Sequence, residues 1–206
     1  RGRPAPLRGA APRARRRGAS LAVRAGRAQL RPLHLLRDAL PAPGHRPPLT
    51  VQAGTPRLRV IGIGRDARGD DAVGPLLVRR LREDPRCPAG VEVLEHDGDG
   101  MDLVLLLEGP ETVLLVDAVV SGAQPPGALL RLDARAEALP AHWFAAHSTH
   151  QLGVAEAVEL ARATGRLPRR LVLFAVEAAR FDFGAAPTEA VAAALPRLLD
   201  QVLAAL

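Results

Sequence analysis

The sequence predicts an α/β fold, a three-layer α/β/α sandwich in which helices cover both faces of a central sheet. Two observations predict it. From Arg57 onward, short apolar segments typical of buried strands alternate with longer segments whose apolar residues recur at intervals of three and four. With 206 residues and 48% hydrophobic content, the chain has enough core-forming material for one such domain.

Five apolar segments are predicted as strands. Two of them, LRVIGIG and ETVLLVDAVV, are long enough to be buried on both faces of a sheet. VEVLEHD and GALLRLD are shorter, and RRLVLFAVE is predicted as the last strand, near the edge of the sheet. The order of these segments along the chain allows helices between most of them, as the α/β/α architecture requires.

Three segments are predicted as helices from the spacing of their apolar residues. They are DAVGPLLVRRLRED, beginning at Asp71, THQLGVAEAVELARATG, beginning at Thr149, and PTEAVAAALPRLLDQVLAAL, beginning at Pro187. Gly165 closes the second of them, as glycine commonly does at helix C-termini.

The first 56 residues differ in composition from the rest and are predicted to be a disordered leader. They contain 12 Arg and a single acid, Asp38, whereas the remaining 150 residues carry 16 Arg and 21 acids. An Arg-rich, acid-poor segment suits an RNA- or membrane-binding tail or a targeting peptide. However, every basic residue of the chain is Arg, a bias typical of GC-rich coding sequence, which favours upstream sequence or an unrelated tail. We therefore assign the functional domain to 57–206 and expect residues 1–55 to be dispensable.

Several common classes of protein are disfavoured. No run of 18 apolar residues suggests a membrane span, and one cysteine cannot form an internal disulfide, so a soluble cytoplasmic protein without nucleic-acid or membrane partners is expected. The turn Gly62-Ile-Gly64 has Ala67 where a dinucleotide fingerprint needs its third glycine, and the carboxylates that follow would repel a pyrophosphate. Cys87 lies in a predicted loop without a nearby His, which disfavours a thiol nucleophile.

Three potential metal ligands fall close to the carboxyl ends of predicted strands or the start of a helix, where α/β domains bind ligands. They are Asp71 after the first strand, Asp117 at the end of ETVLLVD, and His150 at the start of the second predicted helix. Two carboxylates and an imidazole suit a divalent cation. The positive end of a helix dipole would keep Asp71 ionised and His150 neutral, the two states that a metal requires.

Other roles remain open for the same residues. Asp70 or Asp71 could cap a helix, and each of the two could serve one of these purposes. Asp117 could pair with a loop amide, although an aspartate after six residues of buried strand favours a function. His150 could also cap a helix, and either His147 or His96 could replace it as a ligand.

Taken together, the motifs of the chain resemble a known family, the endopeptidases that mature the large subunit of nickel-iron hydrogenases. The resemblance runs from about Arg57 to the C-terminus and depends on VIGIGRDARGDDAVG, VEVLEHDGDGMDLV, VDAVVSGAQPPG and STHQLGVAEAVELARATGRLPRRLVLFAVE. It implies a twisted, mostly parallel five-stranded sheet and an aspartic-type endopeptidase that removes the C-terminal extension of a nickel-loaded precursor. The family's metal-binding positions fall on Asp71, Asp117 and His150, and the nickel would be supplied by the substrate.

The chain departs from the family pattern at two places. Arg65 stands where the family usually has Asn, and the glycine-rich turn after the second strand is replaced by a segment containing Asp97 and Asp99. Arg65 could meet a carboxylate of the precursor tail, the extra acids would favour a cation, and Asp70 could act as a base. Alternative functions are a non-catalytic metal-binding or metallochaperone-like protein, and a metal-dependent hydrolase of small substrates.

Overall fold

The computed structural model describes residues 56–144 and 152–206, which contain a five-stranded sheet with the strand order β2-β1-β3-β5-β4. Four strands run parallel, and β4 runs antiparallel to its neighbour β5. The predicted α/β/α architecture with a mostly parallel sheet is confirmed. The strands are β1 (Leu58–Ile63), β2 (Val91–His96), β3 (Thr112–Val119), β4 (Leu129–Asp133) and β5 (Arg170–Glu177).

Within the described ranges, four α-helices cover the two faces of this sheet. They are α1 (Val73–Glu83), α2 (Gly100–Leu107), α3 (Val154–Ala163) and α4 (Glu189–Leu203). Helices α1 and α4 pack on one face, and α2 and α3 pack on the other. No helix in the described ranges combines the length and the hydropathy that crossing a bilayer would require.

The central strand β3 shows why the sheet needs cover on both faces. Its side chains alternate, so that Leu114 and Val116 pack towards α1 and α4 while Val113 and Leu115 pack towards α2 and α3. All four side chains are fully buried. Because burial of one aliphatic side chain contributes about 1.5–3 kcal/mol, the two helical layers stabilise the sheet through this strand.

The position of β5 differs from the sequence prediction. The segment was expected near the edge of the sheet, but β3 pairs with one side of β5 and β4 with the other. The edge is formed by β4, which is antiparallel and only partly buried. An apolar run that is buried along its whole length, as β5 is from Leu171 onward, is typical of an interior strand.

The helix boundaries also differ in detail. The first predicted helix begins at Val73 rather than Asp71, because Gly69–Ala72 form a 3₁₀ turn. The second is predicted from Thr149, and helix α3 of the described residues begins at Val154, where Gly153 N–H donates to Glu156 Oε2 at 3.1 Å. Residues 145–151 lie outside the described part of the chain, as do residues 1–55 of the predicted leader.

Helix α2 was not predicted from the sequence. Its segment, GMDLVLLL, is apolar on nearly all sides and therefore lacks the periodicity that distinguishes a helix from a buried strand. The available signal was Asp99, whose Oδ1 accepts hydrogen bonds from Met101 N at 3.0 Å and Asp102 N at 3.2 Å. Aspartate in this position is a common N-cap.

Candidate active site

The candidate site lies at the carboxyl ends of the parallel strands. There, the 3₁₀ turn that carries Asp71 follows β1, and Asp117 occupies the sixth position of β3. Strand β3 continues for two residues beyond Asp117, so this aspartate lies within the strand rather than at its end. Asp117 alternates with Leu115 and Val119 and therefore faces the α2 and α3 side of the sheet.

The Gly-Ile-Gly turn brings β1 into close contact with the segment that contains Asp71. Gly64 has φ of 132°, and a Cβ atom there would lie 1.8 Å from the carbonyl oxygen of Asp71. A Cβ atom on Gly62 would lie 2.3 Å from the carbonyl oxygen of Gly74. The two glycines therefore allow the backbone of the strand to pack directly against the backbone of the turn. This close packing accounts for the glycines without a bound phosphate.

Asp117 is a buried carboxylate with little compensation. Its side chain is 1% exposed, and the hydrogen bond that the described residues give it comes from its neighbour, Ala118 N, at 2.8 Å. Burial raises the pKa of Asp117 well above its ordinary value, and the negative charge of Asp71 raises it further. The two carboxylates are therefore close enough to repel each other when both are ionised.

Asp71 is also buried, but nearby positive charges and a hydrogen bond offset part of the cost of its burial. It is 4% exposed, and its Oδ2 accepts a hydrogen bond from Arg65 N at 3.1 Å. Burial raises the pKa of Asp71, while the positive charge of Arg68, the hydrogen bond from Arg65 and the charge of Arg65 act in the opposite direction. Two such carboxylates can share a proton or bind a cation, either of which removes their repulsion.

Asp70, the other aspartate of the turn, is used for structure. It is fully buried, and its carboxylate accepts four hydrogen bonds, two of them from Thr188, whose N and Oγ1 lie 2.6 and 2.9 Å from Oδ1. The other two come to Oδ2 from Ala179 N at 2.8 Å and Arg180 N at 3.2 Å. These bonds join the turn to the segment between β5 and α4, so the geometry disfavours the predicted role of Asp70 as a base.

The third predicted ligand, His150, lies outside the described residues, as does its possible substitute His147. Within residues 56–144 and 152–206, no three His, Cys, Asp or Glu side chains form a group that could hold a metal ion. His96, the other possible substitute, lies at the end of β2 and accepts a hydrogen bond at Nδ1 from Gly98 N at 3.0 Å. The metal triad therefore remains a prediction.

The remaining predicted auxiliaries lie in the loops that border the site. Arg65 follows β1 and contributes its backbone N–H to Asp71. Asp97 is exposed, and its Oδ1 accepts a hydrogen bond from Asp99 N at 3.2 Å. Asp97 thus shapes the turn before α2, and Asp99 caps that helix.

Two buried charged residues of this region were missed in the sequence. Glu177 ends β5, is 3% exposed, and accepts hydrogen bonds from Ser121 N, Ser121 Oγ and Gly122 N at 2.9, 2.6 and 3.1 Å. The signal that singled out Asp117, an acid after a buried strand, applies equally to Glu177. Arg68 is 8% exposed, and nothing in the sequence distinguishes it from the many exposed arginines.

Cys87 is remote from these carboxylates. It lies between α1 and β2, and therefore near the amino ends of the strands. Burial and the charge of Asp84 raise the pKa of its thiol, which disfavours the reactive thiolate. The geometry agrees with the expectation that Cys87 is not a nucleophile.

Comparison with known proteins identifies the family. The family model of hydrogenase maturation proteases matches residues 75–205. The Hydrogenase 2 maturation protease of Escherichia coli K12 is 35% identical over 152 residues, which cover 73% of this chain and 90% of that protein. A hydrogenase expression/formation protein, HupM of Azotobacter chroococcum mcd 1, is 33% identical, covering 75% of this chain and 73% of its own.

Solved structures agree with these sequence matches. The hydrogenase maturating endopeptidase HybD from E. coli superposes with a TM-score of 0.64 at 32% identity, covering 72% of this chain and 91% of that one. A hydrogenase 2 maturation peptidase from a Thaumarchaeota archaeon superposes with a TM-score of 0.53 at 27% identity, covering 72% and 97%. The chain belongs to the hydrogenase maturation protease family and is a peptidase.

Proposed function

We propose that this protein removes the C-terminal extension of a nickel-loaded hydrogenase large-subunit precursor, and that Asp71, Asp117 and His150 engage the nickel of that precursor. The observation that carries the proposal is the pair of buried carboxylates at the carboxyl end of the sheet. A cation bound by Asp71 and Asp117 would offset the burial penalty that raises both pKa values, and also the repulsion by Asp71 that raises the pKa of Asp117 further.

The donor atoms of this pair remain available. Within the described ranges, Asp71 and Asp117 each accept hydrogen bonds from one backbone N–H, which leaves other carboxylate lone pairs unused. Glu177 and Asp70, by contrast, already accept hydrogen bonds at both oxygens. This difference in hydrogen bonding supports Asp71 and Asp117, rather than Asp70 and Glu177, as the proposed ligands.

A hydrogen bond made by Leu152 supports His150 as the third ligand. Leu152, two residues after His150, accepts a hydrogen bond at its carbonyl oxygen from Gly100 N at 3.1 Å. Gly100 begins α2, just beyond the carboxyl end of β2. Because two residues of chain span at most about 7 Å, this position of Leu152 is compatible with a third ligand at position 150.

Nickel in this proposal belongs to the substrate. Two carboxylates and one imidazole, without a thiolate, form a weak site for nickel, so useful affinity arises only when the precursor supplies further ligands. The metal would supply Lewis acidity and a fixed point of attachment. The residues of this chain would then hold the precursor tail in register, so that only a precursor that has received nickel is cut.

The test compares two preparations of one precursor. Precursor loaded with nickel, and precursor shown to be metal-free by elemental analysis and kept in chelator, are each incubated with the purified protein. Mass spectrometry then measures the loss of the C-terminal extension. We expect cleavage of the loaded precursor and little or none of the metal-free form, even when free zinc or magnesium is added.

Two other outcomes would overturn the proposal. Equal cleavage of both preparations would indicate a protease that recognises sequence alone. No change in mass with either preparation, together with binding of the loaded precursor, would indicate a non-catalytic metal-binding protein. A matched variant, Cys87→Ala, controls for effects of purification, because its thiol is remote from the site.

A further inference from the structure

Arg68 is a buried arginine whose side chain has no hydrogen-bonding partner among residues 56–144 and 152–206. Its residue is 8% exposed and lies three positions before Asp71. Among the described residues, no acceptor lies within hydrogen-bond distance of its buried Nε, and no carboxylate oxygen lies within 4.0 Å of its guanidinium nitrogens. Because buried charged groups are normally paired and hydrogen-bonded, this guanidinium is in the state expected of a binding group without its ligand.

Arg59 shows how the same fold treats a structural arginine. It is 9% exposed, nearly as buried as Arg68. Its Nε donates to Glu92 Oε2 at 2.5 Å, and its Nη1 donates to the carbonyl oxygen of Leu106. The fold therefore provides partners where an arginine has only to be accommodated, and the lack of them at Arg68 requires another explanation.

An aromatic ring lies over the guanidinium of Arg68. Its Cζ lies 5.1 Å from the centre of the Phe183 ring, and this phenylalanine is 81% exposed. The loop that carries Phe183 is held in place, because Gly184 N donates to Ala67 O at 2.6 Å. An aromatic ring covers a face of a guanidinium, whereas the N–H groups point outward in its plane.

The charges around Arg68 indicate how much negative charge its ligand should carry. The positive charge of Arg68 acts on Asp71, yet the two groups form no ion pair. Asp117 adds a second carboxylate nearby. Two acids would repel a dianion such as phosphate more strongly than a monoanion, so the balance of charge favours a single carboxylate.

We propose that Arg68 is a substrate-binding residue that holds a carboxylate of the peptide being cleaved, beside the Asp71–Asp117 pair. A planar guanidinium matches a carboxylate through two parallel N–H···O bonds, and a peptide offers carboxylates either on acidic side chains or at a chain end. This inference rests on the proposed function for the nature of the substrate. Binding of a carboxylate can be measured without any cleavage.

The first experiment measures binding by NMR on the full chain, following the Nε–Hε signal of Arg68, which is assigned by its loss in Arg68→Lys. The probes are N-acetylglycine, with a main-chain carboxylate, N-acetylaspartic acid α-amide, with a side-chain carboxylate, and the uncharged N-acetylasparagine amide. We expect a saturable shift with one or both acids and none with the amide. The two acids distinguish a chain end from an acidic side chain.

Several outcomes of this titration would overturn the inference. They are no shift with either acid, an equal shift with the uncharged amide, and a response to inorganic phosphate but not to carboxylates. Arg169→Lys provides the matched control, because Arg169 is exposed at the amino end of β5 and its loss should leave the titration unchanged.

The second experiment measures cleavage and folding in the same variants. Arg68→Gln should lower kcat/KM for the loaded precursor about tenfold or more, with a melting temperature equal to or above that of the wild type, because an unpaired buried charge is removed. Arg68→Lys should recover part of the loss, and Arg169→Gln should change neither quantity. A lower melting temperature in Arg68→Gln with full activity would assign Arg68 a structural role instead.

These two experiments separate the inference from the proposed function. If the wild type binds carboxylates at Arg68 but cuts no precursor, the proposed function fails and the binding site stands. If the wild type cuts the loaded precursor and Arg68→Gln cuts it equally well, the proposed function stands and the role of Arg68 fails.

Discussion

Two regions at the carboxyl end of the sheet contain buried carboxylates, and the protein treats them in opposite ways. In the anchoring region, Asp70 and Glu177 accept hydrogen bonds at both oxygens and join loops to one another. In the facing region, Asp71 and Asp117 each accept a hydrogen bond from one backbone N–H of the described residues, and burial raises both pKa values. All four side chains are less than 5% exposed.

The number of accepted hydrogen bonds distinguishes the structural carboxylates from the functional ones, whereas the degree of burial does not. A fully hydrogen-bonded carboxylate stabilises the folded state, because its donors would otherwise remain unsatisfied. A buried carboxylate with few hydrogen bonds and a like charge nearby destabilises the folded state unless a proton or a cation neutralises it. The adjacent aspartates Asp70 and Asp71 differ in this way, so substitutions at the two positions should have different effects.

The largest effect is expected on catalysis, from substitutions in the facing region. Asp71→Asn and Asp117→Asn should each reduce cleavage of the nickel-loaded precursor by at least about 1,000-fold, because a neutral amide is a poor ligand for the cation. Their melting temperatures should equal or exceed that of the wild type. His150→Ala should lose activity to the same extent, and mass spectrometry of the precursor measures all three.

Cys87→Ala is the control for these variants and should leave both cleavage and melting temperature nearly unchanged. An inactive Cys87→Ala variant beside an active Asp71→Asn variant would contradict the metal hypothesis and favour thiol catalysis.

The next largest effect is expected on stability, from the anchoring region. Asp70→Ala leaves three backbone N–H groups and the hydroxyl of Thr188 without their acceptor, which should reduce the free energy of unfolding by about 2–3 kcal/mol. Asp71→Ala removes one hydrogen bond together with a carboxylate whose burial is unfavourable, so its effect should be below about 1 kcal/mol. Denaturant unfolding measures both; equal losses would show that the two aspartates contribute alike.

Most of the fold could be predicted from the sequence because apolar patterns report on local structure. All five strands were located, including β3, whose continuous apolar run reflects burial on both faces. Helix α2 was missed because its apolar residues surround the helix, and the interior position of β5 was missed because strand order depends on contacts between distant segments. The pattern of apolar residues along the chain carries little information on a helix that is apolar on all sides or on the order of strands in a sheet.

The candidate site was predictable to a lesser degree. Asp71 and Asp117 were located from their positions after apolar strands, but the sequence could not distinguish Asp70 from Asp71. That distinction depends on Thr188, which is 118 residues from Asp70 in the chain. Arg68 was not distinguished for the same reason, because the ring that covers it belongs to Phe183. Hydrogen bonds and burial between distant segments appear only in the folded chain.

The smallest effect is expected in the dependence of stability on pH, which tests the facing region without any substrate. Burial and Asp71 raise the pKa of Asp117 in the folded state above the ordinary aspartate value of about 3.9. Between these two pKa values the folded protein binds more protons than the unfolded chain, so the free energy of unfolding falls as pH rises through this window. Below about pH 3.9 the stabilising contribution of the protonated group is fully present.

Asp117→Asn removes this titration while its amide oxygen can still accept the hydrogen bond from Ala118 N. The exposed acids of the domain titrate alike in both proteins, so the difference between variant and wild type reports on Asp117 and on its interaction with Asp71. We expect similar melting temperatures near pH 4 and a variant that melts about 2–4 °C higher at pH 7.5, which corresponds to about 1 kcal/mol for a domain of this size. Asp70→Asn should instead melt lower than the wild type at pH 7.5, because the carboxylate that its hydrogen bonds stabilise is lost. If the advantage of Asp117→Asn were equal at both pH values, its cause would be packing rather than charge, and the facing pair would not carry the repulsion that a cation is proposed to relieve.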